Sequence, residues 1–378
     1  MTKIKDNLIK YAVPIIFIVI SVSGIIVSGT PLSYITKELS NRLFRNTFLV
    51  LSLIIPILAG MGINFGIPLG AMAAQIGLIF AQDWGFKGVS GLLIAALIAT
   101  PISILLGKFS GNILNKAKGR EMITSMMLSF FILGIYMLVL LFLAGSVIPI
   151  KTRAMLLSQG YGIKNSLSLV SAKSLDNILK YRLYIPLGSQ AITFDFPVAT
   201  VLVIALLCLF IVWFKKTKIG HDMHAVGQDQ IVSKNAGMAS DKIRVQSIVI
   251  STVLACYGQL IYLQNIGTLS TYAGQDQAAL YAAASLLVGG ASVAKATIPN
   301  AILGTALFHL MFIIMPQAGS ALTGDAMVGE YFRTFLSYAV VTISLIIHAY
   351  NRAKEANDKR LNQREQKQIS KTEKTFVS

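Results

Sequence analysis

The sequence predicts an all-α integral membrane protein with about ten transmembrane helices. Of the 378 residues, 54% are hydrophobic and only 13% carry a charge, against about 25% charged residues in a typical soluble domain. The mean hydropathy is +0.68. The charges are also unevenly placed, because nine stretches of 18 or more residues contain no Asp, Glu, Lys or Arg. This composition leaves too little polar surface for several water-soluble domains.

Each charge-free stretch is a candidate membrane span, because a spanning helix needs about 20 mostly apolar residues. The stretch 46–82 is too long for one helix and contains a cluster of glycine and proline between residues 60 and 70. We divide it into helices at 46–63 and 67–82, with a discontinuous region near 60–70. The other charge-free stretches are residues 11–36, 88–107, 122–150, 196–214, 245–275, 277–294, 296–324 and 334–351.

The positive residues predict the orientation in the membrane. An even number of spans places both termini on one side, and most of the 33 Lys and Arg residues then fall on that side. The positive-inside rule identifies this side as the cytoplasm. The net charge of +17 is therefore explained by topology, and we expect no nucleic-acid partner.

The polar segments between the spans divide the chain further. We expect residues 1–350 to form the transmembrane domain and residues 351–378 to form a charged cytoplasmic tail. Segment 146–192 is polar and long, so it is expected to fold over the external face. Segment 215–244 is expected on the cytoplasmic side.

The sequence contains no motif for an enzyme or a bound metal. The nearest match to a nucleotide-binding Walker A loop, Gly107-Lys108, continues with Phe109 and lacks the first glycine. Cys208 and Cys256 lie inside apolar runs and have no metal-ligand spacing. We therefore expect no catalytic residues, no metal and no cofactor. Carboxylates deep inside the predicted spans are absent, which weakens an ion-coupled carrier without excluding it.

Three segments carry short motifs in a fixed order. They are Lys118 to Leu128, then Gly220 to Asp229 followed by Asn235-Ala236-Gly237-Met238, and the Ala-rich stretch 282–304. Over most of residues 46–350 the chain resembles the permeases of bacterial ABC importers, in the superfamily for ribose and other simple sugars, nucleosides and branched-chain amino acids. Residues 294–297 depart from the glycine-rich turn of many relatives, and the break at residues 62–68 lacks the Asp that sugar permeases often have there. These departures leave the substrate open.

The resemblance implies a set of partners and a coupling segment. The partners are a separate ABC ATPase subunit, a second permease subunit of the same or a homologous chain, an extracytoplasmic solute-binding protein and the bilayer of a bacterial plasma membrane. A short coupling helix at about 228–236 would dock on the ATPase. His224 and Asp229 would set its start, and Gly227 and Gly237 would permit sharp turns. The residues expected in ATPase coupling are Gly220, His224, Gly227, Gln228, Asp229, Gly237 and Met238.

Irregular backbone and polar side chains indicate a translocation path, because neither is tolerated against lipid. The break at Asn64 to Gly66 supplies both, although Gly62, Gly66 and Gly70 could instead serve close helix packing. The residues expected along the path are Asn64, Phe65, Gly66, Ser125, Met126, Met127, Ser129 and Asp276.

The expected function is that of a permease subunit for a sugar-like or nucleoside-like solute. Two alternatives remain open. One is the same architecture for amino acid or vitamin uptake, and the other is an ion-coupled secondary transporter that works alone.

Overall fold

A computed structural model of the chain describes residues 2–169, 180–187, 190–343, 346 and 350. The predicted charged tail, residues 351–378, lies outside the described residues. The described part is mostly helical. Its helices are α1 (Thr2–Ser28), α2 (Leu32–Leu51), α3 (Ile54–Leu58), α4 (Ile67–Asp83), α5 (Gly88–Lys116), α6 (Glu121–Leu138), α7 (Val198–Lys216), α8 (Lys218–Gln228), α9 (Gln230–Asn235), α10 (Ser240–Ile266), α11 (Ala278–Val288), α12 (Ile298–Thr323) and α13 (residues 326–343).

Six helical segments among the described residues are long and apolar enough to cross a membrane. They are Leu32–Leu58, Gly88–Lys116, Glu121–Leu143, Val198–Lys216, Ser240–Ile266 and Ile298–Thr323. The apolar parts of α1 and α11 are shorter. A predominantly helical, membrane-spanning architecture is therefore confirmed, whereas the predicted count of about ten spans is not.

The second helical segment begins earlier than predicted. We expected a helix over 46–63, but α2 begins at Leu32 and α3 ends at Leu58. The charges that hid its first half have partners within the fold. Arg42 pairs with Glu38 at 2.8 Å, and the Arg45 guanidinium lies 5.6 Å from the centre of the Tyr262 ring. A criterion based on charge-free stretches therefore misses the first part of such a helix.

The stretch 277–294 forms a shorter helix than predicted. Helix α11 ends at Val288 and is followed by Gly289 and Gly290. Gly290 has φ of +81°, a left-handed conformation that ends the helix. The Asn300 side chain donates to the Gly289 carbonyl at 2.6 Å, so the end of α11 is held against the start of α12.

Among the described residues four strands add a little sheet to the mostly helical fold that was predicted as all-α. Strand β1 (Ser166–Ser168) pairs antiparallel with β4 (Thr268–Ser270), and β2 (Lys180–Leu187) pairs antiparallel with β3 (Gln190–Pro197). Three of the four lie in or next to the predicted external segment 146–192. Residues 180–197 are rich in aromatic and β-branched side chains, which favour strands. That signal was present in the sequence.

The core is built around α10, which packs against α4 and α5. Small residues allow these helices to approach closely. A Cβ atom at Gly70 would lie 2.3 Å from the Thr252 carbonyl oxygen of α10, and one at Gly77 would lie 2.3 Å from the Ala95 carbonyl oxygen of α5. Close backbone approach through small residues is the usual way that membrane helices associate. Of the three glycines spaced by four, Gly70 therefore serves packing.

Contacts at the ends of helices define two ends of the bundle. At the first, here called the α8–α9 end, Lys118 and Asp241 form an ion pair at 3.4 Å. At the second, here called the strand end, the Asp83 carboxylate accepts from the Thr152 amide at 2.8 Å. The Gln82 side chain also donates to the Ser168 carbonyl there. Helices α2–α3 and α4 run between these ends in opposite directions, so residues 59–66 form the turn that joins them.

Candidate functional site

The non-helical residues 59–66, here called the 59–66 loop, lie inside the bundle near the α8–α9 end. Asn64 is only 3% exposed, and both ends of its amide are used. Its Oδ1 accepts from the Gly66 amide at 2.8 Å, and its Nδ2 donates to the Ser251 hydroxyl at 3.3 Å. A buried amide that is satisfied in this way fixes the loop to α10.

Two serines of α6 hold the next residue of the loop. The Phe65 amide donates to Ser125 Oγ at 3.2 Å, and Ser129 Oγ donates to the Phe65 carbonyl at 3.0 Å. Residues four apart in a helix share one face, so Ser125 and Ser129 present a pair of hydroxyls to one peptide unit. The backbone groups freed by the break are therefore satisfied by a neighbouring helix.

The structure thus brings five predicted path residues together and separates the other three. Asn64, Phe65, Gly66, Ser125 and Ser129 form one hydrogen-bonded cluster. Met126 and Met127 are 42% and 66% exposed and point away from this cluster. Asp276 is exposed in the loop at the strand end, between β4 and α11, where partial burial raises the pKa of its carboxyl.

A buried polar network next to Asp276 was not predicted. The Gln75 side chain, fully buried in α4, donates to Gln275 Oε1 at 2.9 Å and accepts from the Tyr136 hydroxyl at 2.6 Å. That hydroxyl also lies 3.1 Å from the Thr271 carbonyl. The signal was available, since Gln75 is a single amide inside an apolar stretch and must find a partner.

Helices α8 and α9 each begin with a side-chain cap. Thr217 Oγ1 accepts from the Gly220 amide at 3.2 Å. Asp229 Oδ1 accepts from the Ile231 and Val232 amides at 2.9 and 3.1 Å. A carboxylate at this position also complements the helix dipole. The predicted start of the short helix at Asp229 agrees with this geometry.

The remaining residues predicted for coupling fall on both sides of the α9 start. His224 and Gln228 are exposed on α8, with the histidine ring nitrogen 3.2 Å from the Gln228 amide. Gly237 has φ of +84° directly after α9, as a sharp turn requires. Met238 is partly buried against the core. Segment 220–238 therefore exposes some of its side chains to the surroundings, while its end at Met238 packs against the core.

Gly227 differs from its predicted role in a turn. It lies within α8 and is not among the glycines of positive φ. Its backbone instead packs directly on the 59–66 loop, because a Cβ atom there would lie 2.3 Å from the Leu58 carbonyl oxygen and 3.0 Å from the Gly60 amide nitrogen. The need for glycine comes from close contact, which sequence alone does not distinguish from a turn.

A buried ion pair near this contact was also missed. Arg244 of α10 is 5% exposed and Glu121 of α6 is 13% exposed, and their side chains meet at 2.5 Å. Arg244 also donates to Gln230 Oε1 of α9 at 2.8 Å. Each charge directly precedes a long charge-free stretch. That position marks the end of a span, but the sequence does not show which residue each charge pairs with.

Comparison with known proteins gives the family. A family model described as the branched-chain amino acid transport system permease component matches residues 38–348. The chain belongs to this family. It is a family of transport permease components rather than of enzymes. No solved structure matches the chain.

One curated relative is the xylose transport system permease protein of Haemophilus influenzae, which is 35% identical over 132 residues. The alignment covers 33% of this chain and 34% of that protein. The chain therefore spans about a third of the length of the curated relative it matches.

Proposed function

We propose that the chain is the membrane-spanning permease subunit of an ABC importer for a sugar-like or nucleoside-like solute. It would lie in a bacterial plasma membrane with both termini and the α8–α9 end in the cytoplasm. The family match, the six candidate spans and the xylose permease among the relatives support this proposal. The absence of a Walker A motif agrees with a separate ATPase.

The carrying observation is the outer surface of α9. Ile231 and Val232 are 74% and 62% exposed, in a segment whose other exposed residues include Lys234, Asn235 and Gln228. In the proposed arrangement these two adjacent aliphatic side chains would be covered by the ATPase. Gly227 of the same segment rests on the 59–66 loop, so an ATPase that binds α9 would be close to the translocation path.

We assign the 59–66 loop to the cytoplasmic part of that path, where Asn64, Ser125 and Ser129 would offer hydrogen bonds to a neutral polar solute once they exchange partners. The outward Met126 and Met127 would face a second permease subunit. Asp276, at the opposite end, would face the solute-binding protein. A cavity of about 320 Å³ between α4, α5 and α6 is lined by apolar side chains and is a poor match for a sugar.

Uptake into liposomes tests the proposal. The permease is reconstituted with or without its ATPase, and labelled xylose, ribose, a nucleoside and a branched-chain amino acid are supplied with the cognate solute-binding protein. We expect uptake only with ATPase and ATP, and for a pentose or nucleoside. Uptake driven by a sodium or proton gradient without the ATPase would instead establish a secondary transporter. ATP-dependent uptake of the amino acid alone would change the substrate class.

A further inference from the structure

Helices α6 and α10 hold the 59–66 loop from two sides. Ser125 and Ser129 of α6 bond to Phe65, and Ser251 of α10 bonds to Asn64. The loop is therefore clamped between two helices through its backbone and one amide. Both helices reach the α8–α9 end within a few turns of these serines.

The Arg244–Glu121 pair joins the same two helices at that end. Glu121 lies one turn before Ser125, so the ion pair and the loop contacts occupy the same face of α6. Arg244 lies seven residues before Ser251, two turns away on α10, which places it on the corresponding face of that helix. The ion pair thus links α6 and α10 between the α8–α9 end and the serines that hold the loop.

Helix α9 is attached to this pair. Gln230, the first residue of α9, accepts from Arg244 Nη1 at 2.8 Å, and it directly follows the capping residue Asp229. Among the described residues, the buried atoms Arg244 Nε and Gln230 Nε2 have no hydrogen-bond acceptor. The cluster therefore has spare donors, so its partners can exchange when α9 moves.

We propose that the Arg244–Glu121 pair is the latch through which α9 controls the 59–66 loop. With the latch closed, α6 and α10 hold Asn64 and Phe65 in place. Displacement of α9 draws Gln230 away, rearranges the donors of Arg244 and lets the two helices separate at this end. Arg244 and Glu121 are positioning residues, since they act on the path through α6 and α10. The role of the ATPase in moving α9 rests on the proposed function.

The first test measures the loop directly in the permease alone. Ile63, 1% exposed, is replaced by Cys in a Cys208→Ser background, and its reaction rate with a water-soluble maleimide is followed in liposomes. The parent without the new cysteine gives the contribution of Cys256. Glu121→Gln should raise the labelling rate by about tenfold or more, because a buried charge that loses its partner is strongly destabilised.

Two further variants make the result specific. The exchange Glu121→Arg with Arg244→Glu keeps an ion pair and should return labelling towards the parent rate. Asp241→Asn removes the half-exposed pair with Lys118 at the same end and should leave labelling unchanged. An unchanged rate in Glu121→Gln, or a defect that the exchange does not reduce, overturns the latch.

A second measurement separates the latch from the proposed function. With the ATPase present, Glu121→Gln should keep co-purification of the ATPase but raise solute-independent ATP hydrolysis and lower uptake. Increased labelling without any ATPase binding to the parent chain would retain the latch and reject the importer. Normal coupling in a variant whose loop labels faster would overturn the latch as a control element.

Discussion

Arg333 replaces the hydrogen bond that Pro316 removes from α12. Its Nη1 donates to the Phe312 carbonyl oxygen at 3.2 Å, an oxygen that would accept from the amide of residue 316 in a regular helix. Proline has no such amide. The guanidinium also lies 4.6 Å from the centre of the Phe312 ring and pairs with Glu330. Helix α12 and its neighbour α13 are thereby joined at one point.

Arg333→Leu should lower the free energy of unfolding by about 1–3 kcal/mol, because it leaves this carbonyl without a donor. Thermal unfolding of the purified protein in detergent measures the change. Pro316→Ala supplies a backbone amide at the right position, so the double variant should regain part of the lost stability. Equal loss in both variants would show that the carbonyl is not the cause.

Gly227→Ala should impair coupling, because its Cβ would collide with the Leu58 carbonyl and separate α8 from the 59–66 loop. The expected result is reduced uptake, with ATPase co-purification lost or uncoupled from transport. Gly134→Ala in α6 is the matched control, since a Cβ there meets no atom within 4 Å and alanine favours helix. Normal uptake in Gly227→Ala would contradict the contact.

Asp229→Lys should weaken the start of α9 by about 0.5–2 kcal/mol, because the capping oxygen is lost and the charge opposes the helix dipole. Hydrogen exchange at the Ile231 and Val232 amides should accelerate, and ATPase co-purification should fall. Asp229→Asn keeps a capping oxygen and is expected to retain both. If Asn and Lys behave alike, the charge rather than the cap is important.

Asn64→Leu should lower uptake while the protein still inserts and assembles. The change removes the acceptor of the Gly66 amide and the donor to Ser251 without adding charge. Ser251→Ala removes only one of these bonds and should give the smaller loss. Uptake and detergent-extracted yield are measured together, and an unchanged uptake rate for Asn64→Leu would leave the loop with a packing role only.

The orientation predicts opposite accessibility for two exposed lysines. Lys164→Cys, at the strand end, should label with an impermeant maleimide applied outside intact cells, and Lys218→Cys, at the start of α8, should label only after the cells are opened. This orientation follows from the positive-inside rule, which assigns the α8–α9 end to the cytoplasm and the strand end to the outside. Labelling of both from the same side would reject the topology.

The sequence predicted the parts of the site that depend on the residue type at a single position. Polar residues such as Asn64 and Ser125 stand out in apolar stretches because each must find a partner in the bilayer. In the structure Asn64 bonds to Ser251, and Ser125 accepts from the Phe65 amide. The start of α9 at Asp229 was also readable, because capping depends on a residue type at one position. Their roles in transport stay predictions.

The remainder depends on contacts between distant parts of the chain. Glu121 and Arg244 each looked like the boundary of a span, and nothing local pairs one with the other. Gly227 looked like a turn glycine because sequence does not distinguish positive φ from close approach. The beginning of α2 was missed because Glu38 and Arg42 interrupt the charge-free pattern, although they pair with each other inside the helix.

The pairing of β1 with β4 has a consequence for how the chain matures. Ser168 pairs with Thr268, and Leu167 and Leu269 are buried beside them. A growing chain exposes β1 long before the far end of α10 is synthesised. Until α10 has inserted, β1 has no partner, and its leucine remains uncovered. The segment after α6 therefore stays without its strand partner, and open to proteases, until α10 and β4 have been made.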